Sequence, residues 1–539
     1  MSAPVLEISN LAVAIHGGGD RAHAVQGIDL SVGANEIVCV VGESGSGKSV
    51  TAQAVMGLLP KGSLSVRSGS IRLKGEELTQ KSEAELRAIR GRQMAMVFQE
   101  PMTALNPVER VGNQIAEILE IHTILDAKGR RERVLEIMRA VHLPDPEHMI
   151  DAYPHQLSGG QRQRIMIAAA LVLDPALLIA DEPTTALDVT TQAQILSLIR
   201  EMQARKKTGV LFITHDFGVV SEIADRVVVM QFGRVVEQGP RENVLRRPRE
   251  PYTRMLMAAV PSMIPPSRAP AIGAVTLATT GLHKTYGKRS FWQKRARVVN
   301  AVNDVTLEVR RGETLGIVGE SGSGKSTVAR CIARLVDPTS GRIAIEGRDI
   351  AALSEAQMRP LRRGVQMVFQ DPYRSLNPRR TVGEAIIEGP MNFGVSRDAA
   401  LKRARALMST VHLSPDALDR YPHQFSGGQR QRICIARALA MEPYLLIGDE
   451  PVSALDVSVQ AQVLKLLDEV RRQFDLAVLF ITHDLRVAAQ VCDRLAVMQK
   501  GIIVEQGATA DVFANPRHPY TRALFEAAPG RHQEFGRGD

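Results

Sequence analysis

Apolar positions in this chain gather into short unbroken runs that recur in the same order in each half. EIVCVVG at 36–42 and ETLGIVG at 313–319 are β-branched, apolar and end in glycine, the pattern of a strand buried on both faces. LLIADE (177–182), LLIGDE (445–450) and VLFITHD (210–216 and 478–484) are further such runs, each with an acid or a histidine at its C-terminal end. GKSVTAQAVMGLL and GKSTVARCIARLV follow the first pair with helical spacing, and QRQRIMIAAALVL and QRQRICIARALAM predict two more helices. Residues 100–170, and their copy at 371–438, are richer in helical periodicity and predict a separate helical lobe. Buried strands alternating with helices predict an α/β fold, with ligands gathered at the carboxyl ends of the strands.

These runs belong to a duplication. GESGSGKS stands at 42–49 and again at 319–326, 277 residues on. VFQEPMTALNP at 97 returns as VFQDPYRSLNP at 368, and YPHQLSGGQRQR at 153 returns as YPHQFSGGQRQR at 421. DEPTTALDV at 181 and DEPVSALDV at 449, like the FITHD segments at 212 and 480, are 268 residues apart. A whole domain of about 270 residues is therefore repeated, far beyond the roughly 20–50-residue period of a solenoid. The domains are assigned as 1–259 and 274–539, with a linker at 260–273, VPSMIPPSRAPAIG, where proline and small residues break all periodicity. Extended, a dozen such residues reach about 40 Å, enough for two domains to face each other.

GxxxxGK[ST] between a strand and a helix is a phosphate cradle: backbone N–H groups wrap phosphate oxygens and the helix N-terminus adds its dipole. The candidate residues are Gly42, Glu43, Ser44, Gly45, Ser46, Gly47, Lys48 and Ser49, and in the second copy Gly319, Glu320, Ser321, Gly322, Ser323, Gly324, Lys325 and Ser326. Lys48 and Lys325 are charges for the β- and γ-phosphates, and Ser49 and Ser326 offer hydroxyls to Mg²⁺. A glycine-rich turn alone could carry one such match; two, each set between strand and helix, point to phosphate. Asp181 and Asp449 close their strands where a carboxylate can hold the Mg²⁺ hydration shell. Glu182 and Glu450, next in sequence, can polarise a water attacking the γ-phosphate. The same DEP residues can cap the following helix, and the two roles are compatible. SGGQ (Ser158, Gly159, Gly160, Gln161; Ser426, Gly427, Gly428, Gln429) opens a helix with small residues that expose N–H groups. It reads as a second anion-binding device or as a plain serine N-cap.

Over nearly its whole length the chain resembles a fused pair of ABC transporter nucleotide-binding domains. Walker A, Q-loop, signature, Walker B, D-loop and switch-histidine motifs follow in family order in both halves. The finer resemblance, to ATPases of dipeptide, oligopeptide and nickel importers, rests on three pairs of segments. These are FQEPMTALNP and FQDPYRSLNP, DEPTTALDVTTQAQIL and DEPVSALDVSVQAQVL, and PREPYTRML (248–256) and PRHPYTRAL (516–524). The PYTR segments read as an exposed C-terminal turn and helix that mark the subfamily without supplying chemistry. The resemblance implies tandem P-loop NTPase domains, each a mostly parallel sheet core with an antiparallel β subdomain and a helical subdomain. It implies one ATP with Mg²⁺ on the loop 42–49 with Gln99, Asp181, Glu182 and His215, closed by Ser426, Gly427 and Gly428 of the other half. A second would lie on the loop 319–326 with Gln370, Asp449, Glu450 and His483, closed by Ser158, Gly159 and Gly160. In this scheme Gln99 and Gln370 sense Mg²⁺ and water, His215 and His483 contact the γ-phosphate, and Asp188 and Asp456 couple the two sites. Tyr286 is the expected adenine-stacking aromatic of the second half, where the first offers Ile15 and His16. The second signature reads FSGGQ, and Phe425 should leave its N–H geometry intact. Some relatives carry a cysteine cluster near a domain's C-terminus for an iron–sulfur centre; 248–275 and 516–539 contain no cysteine.

Composition adds exclusions. Of 539 residues, 44% are apolar and 23% charged, which are globular proportions. Aromatics make up 4%, with one Trp, which argues against a base-stacking surface. The net charge of +9 suits phosphate ligands or an anionic membrane surface and is too mild for nucleic acid. No apolar run approaches the ~20 residues of a membrane span, and the N-terminus lacks a basic head before a long apolar core, so the chain is expected in the cytosol without a signal peptide. Cys39, Cys331, Cys434 and Cys492 form no CxxC pair and are expected as buried, reduced thiols. The basic run 284–297 (Lys284, Lys288, Arg289, Lys294, Arg295, Arg297) reads as a solvated loop between two N-terminal strands, with permease or headgroup contact as the second reading.

The function expected is ATP-driven energy coupling for a peptide-class importer, peripheral on the cytoplasmic face of the plasma membrane. Two integral-membrane permease subunits and an extracytoplasmic solute-binding protein are the expected partners, with no nucleic acid. A twin ABC protein acting on ribosomes would carry a long charged helical arm between its domains, and a DNA-repair relative would carry inserted modules with paired cysteines. A sugar-importer ATPase commonly has one degenerate site, whereas both sites here keep glutamate and histidine. Dipeptide, oligopeptide, glutathione-like, peptide-antibiotic and nickel importers share these motifs.

Overall fold

A computed structural model describes residues 3–17, 21–100, 104–184, 187–287, 298–453, 455–531, 533 and 535. The chain divides into two compact units, Met1–Val260 with Pro529–Asp539, and Pro261–Ala528.

In the first unit the core is a six-stranded sheet in the order Arg234–Pro240, Arg226–Gln231, Ile37–Val41, Gly209–Ile213, Leu177–Asp181, Met94–Val97. All neighbours run parallel except the edge hairpin of 226–231 and 234–240. Ile37–Val41, Leu177–Asp181 and Gly209–Ile213 are buried at every residue, as unbroken apolar runs must be in a parallel sheet covered on both faces. A second, antiparallel sheet (His23–Val32, Leu6–Ile15, Leu64–Leu73, Glu76–Glu77) alternates buried and exposed positions and packs its apolar face into the same core cluster. Between the strands Met94–Val97 and Leu177–Asp181 lie the helices Val111–His122, Ala127–Ala140 and Gly159–Leu171.

The second unit repeats this plan. Its core sheet runs Val365–Val368, Leu445–Asp449, Ala477–Ile481, Thr314–Val318, Arg494–Gln499, Ile502–Ala508, and its antiparallel sheet Val299–Arg310, Val275–Tyr286, Ser340–Ile345, Arg348–Asp349. Val382–Asn392, Arg397–Thr410 and Gly427–Leu439 form its helical region. The α/β class, the antiparallel subdomain and the helical lobe are all present in each unit.

Two segments fall differently from the boundaries read in the sequence. From Pro261 on, the proline-rich seam belongs to the second unit, fastened to the helix Leu485–Val491 and the strand after it. Arg268 donates to the carbonyls of Gln490 and Val491 and pairs with Asp493 at 3.1 Å. Arg486 and Gln490 in turn donate to the carbonyls of Pro261, Ser262 and Ile264. Residues 529–539 cluster with the first unit, where the Gly530 N–H donates to Glu222 Oε1 at 2.9 Å.

The basic run begins within a strand rather than a loop: Lys284 lies in Val275–Tyr286, and its Nζ donates to the Asp337 carbonyl. Lys288, Arg289, Lys294, Arg295 and Arg297 lie outside the described residues. All four cysteines are free and buried. Burial pushes the Cys331 and Cys434 thiols up to about 11, so neither is a thiolate at neutral pH. No helix among the described residues is long and apolar enough to cross a membrane.

Candidate active site

The strands Ile37–Val41, Gly209–Ile213 and Leu177–Asp181 are parallel neighbours, so their carboxyl ends deliver three motifs to one place. Beyond the first strand the chain makes a glycine-rich loop into the helix Lys48–Met56. Gly42 has φ 148° and Gly47 φ 102°, and a Cβ on Gly42 would lie 2.2 Å from the Met230 carbonyl oxygen. Any side chain there would break the close approach of loop to sheet. Ser44 and Gly45 form the exposed tip, while Ser46 and Lys48 are buried. Lys48 Nζ donates to the carbonyls of Gly42 (2.7 Å) and Glu43 (3.0 Å), which hold it beneath the loop. The second unit matches: Gly319 has φ 152° and its Cβ would meet Met498 O at 2.2 Å, Ser321 and Gly322 form the tip, and Lys325 Nζ reaches Gly319 O and Glu320 O, both at 2.8 Å.

The loop fits a phosphate by two observations. The Ser46 and Ser323 hydroxyls are buried with no hydrogen-bond partner, and Gly47 and Gly324 at the helix caps supply no side chain to close the helix N-termini. Ser49 Oγ donates to Asp181 Oδ1 at 3.1 Å, and Ser326 Oγ to Asp449 Oδ1 at 2.7 Å. Mg²⁺ keeps several waters and takes one or two protein oxygens plus substrate phosphates, so this hydroxyl–carboxylate pair suits it. Burial raises the pKa of Asp181 and Asp449, and the neighbouring Glu182 and Glu450 charges add to the rise. A dication bound there would relieve both effects.

Glu182 and Glu450 occupy left-handed backbone positions (φ 49° and 50°). Each N–H bonds across to the next strand, Glu182 to Ile213 O and Glu450 to Ile481 O. This places each carboxylate beside the histidine that follows that strand. Gln99 Nε2 donates to Glu182 at 2.9 Å and His215 Nδ1 lies 3.3 Å from it. Gln370 Nε2 donates to Glu450 at 3.0 Å and His483 Nδ1 lies 3.1 Å away. Glutamate, glutamine and histidine thus form one hydrogen-bonded group in each unit.

In the second unit each partner favours the charged form of the other. Burial by itself disfavours both ions, but the His483 bond and charge outweigh it and hold Glu450 below its ordinary value. Glu450 likewise raises His483 against the lowering effect of burial. A raised histidine contributes fully below 6.5 and loses its contribution as pH rises through its folded pKa; a lowered glutamate loses its own as pH falls through its folded pKa. The ion pair is therefore lost on the acid side as Glu450 takes up a proton and on the alkaline side, above 6.5, as His483 gives one up. A Cε1–H chemical-shift titration of His483 should give a midpoint above 6.5, and a midpoint at or below 6.5 contradicts the pairing.

The SGGQ segments open the helices Gly159–Leu171 and Gly427–Leu439. Both serines are N-caps in reciprocal capping boxes: Ser158 N–H donates to Gln161 Oε1 at 2.9 Å and Gln161 N–H to Ser158 Oγ at 3.3 Å, with the same two distances for Ser426 and Gln429. Phe425 is buried as Leu157 is, and the cap geometry is unaltered by the exchange. A Cβ on Gly159 would meet nothing within 4 Å, and one on Gly427 only Leu455 at 3.9 Å, whereas one on Gly160 would strike Thr191 (2.6 Å) and one on Gly428 Val459 (2.1 Å), so only the first glycine of each turn faces open space. Asp188 caps its own helix through Thr191, and Asp456 stands at the N-cap of Val457–Gln473.

Tyr286 ends its strand 40% exposed, with Lys284 Nζ 5.0 Å from its ring centre. In the first unit Ile15 is at the edge of exposure and His16 bonds Ser65 Oγ. Phe232, 55% exposed in the turn of the edge hairpin, carries Arg21 over its ring at 4.4 Å, and Arg21 also reaches Gly45 O at 3.4 Å. Its one sequence signal is a bulky residue in the QFGR turn at φ 50°.

The PYTR segments are corrected by the structure. Tyr252 is 8% exposed, and its hydroxyl accepts from the Glu43 N–H at 3.2 Å; Tyr520, half-buried, accepts from the Glu320 N–H at 3.0 Å. Far from marking only an exposed terminus, these helices touch the phosphate loops. The partner group is backbone, so no residue pattern in the loop announces it.

The ABC transporter family matches residues 25–185 and 302–453, and the oligopeptide/dipeptide transporter C-terminal region matches 236–289 and 504–536. The glutathione import ATP-binding protein GsiA of Salmonella typhimurium is 46% identical over 560 residues, covering 98% of this chain and 90% of the relative. The peptidoglycan transport ATP-binding protein YejF of Agrobacterium fabrum is 46% identical over 528 residues, covering 97% of this chain and 96% of its own. A solved dimeric ATP-binding cassette in a post-hydrolysis state with ADP and Pi is 26% identical, over 44% of this chain and 98% of its own, at a TM-score of 0.40.

Proposed function

The chain belongs to the ABC transporter family as an ATP-hydrolysing import subunit, and from that premise we propose that it closes on two ATP molecules to drive a peptide-class importer. The observation that carries this reading is the completeness of both constellations. Each unit joins a glycine-rich loop, a serine–aspartate pair, and a glutamate held by glutamine and histidine. Mg²⁺ would be held by Ser49 with Asp181 and by Ser326 with Asp449, and supplies charge neutralisation between the β- and γ-phosphates. Lys48 and Lys325 would set their charges against the β- and γ-phosphates. Glu182 and Glu450 accept a proton from the attacking water, while Gln99 and Gln370 fix that water's position. His215 and His483 contact the γ-phosphate.

In this reading Ser426, Gly427 and Gly428 close the first nucleotide, and Ser158, Gly159 and Gly160 close the second. A triphosphate gripped from one side only could not favour a closed arrangement over an open one; groups supplied by the other half create that differential affinity. Hydrolysis removes the bridging γ-phosphate and releases the closure.

Membrane permeases are the partners of an import ATPase of this family. We assign two permease subunits, an extracytoplasmic solute-binding protein, and a peripheral position on the cytoplasmic face. The cargoes in the relatives' names, glutathione and peptidoglycan, both contain amide-linked amino acids, and with the oligopeptide/dipeptide region they support a peptide-class solute. Membrane fractionation tests the assignment. The chain should sediment with membranes when the permease subunits are co-expressed and stay in the supernatant without them. Equal recovery on ribosomes from permease-free cells would favour a translation role instead.

A further inference from the structure

We propose that Tyr252 and Tyr520 are positioning residues for ATP binding, each setting the peptide group on which the loop lysine rests. The inference rests on the ATPase reading above and deepens it. The peptide between Gly42 and Glu43 is bonded at both ends: its carbonyl receives Lys48 Nζ at 2.7 Å and its N–H donates to the Tyr252 hydroxyl at 3.2 Å. In the second unit the Gly319 carbonyl receives Lys325 Nζ at 2.8 Å and the Glu320 N–H donates to Tyr520 at 3.0 Å. Both copies carry this relay.

The physical need for it is local. Gly42 and Gly319 must be glycine because a Cβ would strike the neighbouring strand, and glycine leaves the following peptide plane freest to rotate. A donor at one end and an acceptor at the other pin that plane and polarise it along the chain of bonds. The tyrosines are themselves held firmly. Glu237, on the edge strand Arg234–Pro240, accepts the N–H groups of Arg249 and Glu250 just before the helix Pro251–Ala259. Glu505 does the same with Arg517 and His518 before Pro519–Glu526. The C-terminal helix is thereby tied to the core sheet at one end and to the phosphate loop through the tyrosine.

Because the tyrosine sets the loop before ATP arrives and is not itself at the reacting atoms, its loss should weaken binding of substrate and transition state alike. The Tyr252 hydroxyl also donates to Glu43 Oε2 at 3.3 Å; a hydrogen bond of this kind is worth about 1 kcal/mol, so each Tyr→Phe change should cost roughly threefold to tenfold in ATP affinity. The test uses the full chain carrying Tyr252→Phe and Tyr520→Phe together, since phenylalanine keeps the packing. The expected result is a raised KM for ATP, weaker ATP binding by calorimetry, kcat within about twofold, and an unchanged Tm. A lowered Tm with unaltered KM would mean that the tyrosines only fasten the helix, and overturns the proposal. ATP bound equally by substituted and unsubstituted chains overturns it as well, leaving the ATPase reading intact. No ATP bound by the unsubstituted chain overturns that reading and this inference with it.

Discussion

Glu182→Gln and Glu450→Gln together lower ATP turnover by at least about 10²-fold, the usual cost of removing a general base. The two carboxylates are the acceptors best placed for the task. Each is fixed by a left-handed backbone and an N–H bond to the neighbouring strand, so the side chain has little freedom to leave the site. Each receives a glutamine N–H and lies beside a histidine, and these two contacts orient the carboxylate. Glutamine in the same place keeps the volume and an acceptor oxygen but cannot take a proton. ATP binding should therefore survive, and a filter-binding assay on the double variant should retain labelled ATP while phosphate release stops. Near-normal turnover in that variant would remove the glutamates from the chemistry.

Gly159→Asp and Gly427→Asp are the second large effect, on the order of 10²-fold in turnover, comparable to losing a preorganised donor to developing charge. Within its own unit neither substitution meets resistance, because a Cβ at Gly159 has nothing within 4 Å and one at Gly427 meets only a leucine methyl at 3.9 Å. An acid in the first turn of a helix even favours that helix slightly. Tm should hold or rise while phosphate release falls, a separation that a fold defect cannot produce. The loss arises only if a phosphate approaches that helix N-terminus, where a carboxylate repels it. If both aspartate variants hydrolyse ATP at the parental rate, the exposed first turns serve as caps alone.

The sequence carried the strands, the loops and their chemistry because those features are local. A buried parallel strand reads as an unbroken apolar run, and the glycines of the loop are dictated by backbone geometry at Gly42 and Gly319. The family resemblance implied that glutamate, glutamine and histidine gather at one nucleotide, and strand adjacency, which sets Glu182 beside Ile213 and hence His215, is what brings them together. What escaped is long-range and partly backbone. Tyr252 lies 209 residues from the Glu43 N–H it accepts, and no residue pattern records a bond to a peptide group. The seam 260–273 reads as free chain because proline and small residues show no periodicity. Arg268, a single surface-type residue, nonetheless fastens it to Asp493 and two carbonyls. Phe232 stayed hidden because an aromatic in a hairpin turn has many possible neighbours until Arg21 is seen over its ring.

The most direct test is a structure of the Glu182→Gln/Glu450→Gln chain with Mg²⁺ and ATP trapped in both loops. The account predicts Ser426 and the Gly427 and Gly428 N–H groups within hydrogen-bond reach of the γ-phosphate on the loop 42–49, and Ser158 with Gly159 and Gly160 likewise on 319–326. Two triphosphate tails bound with each of those first turns far from the opposite nucleotide would contradict it.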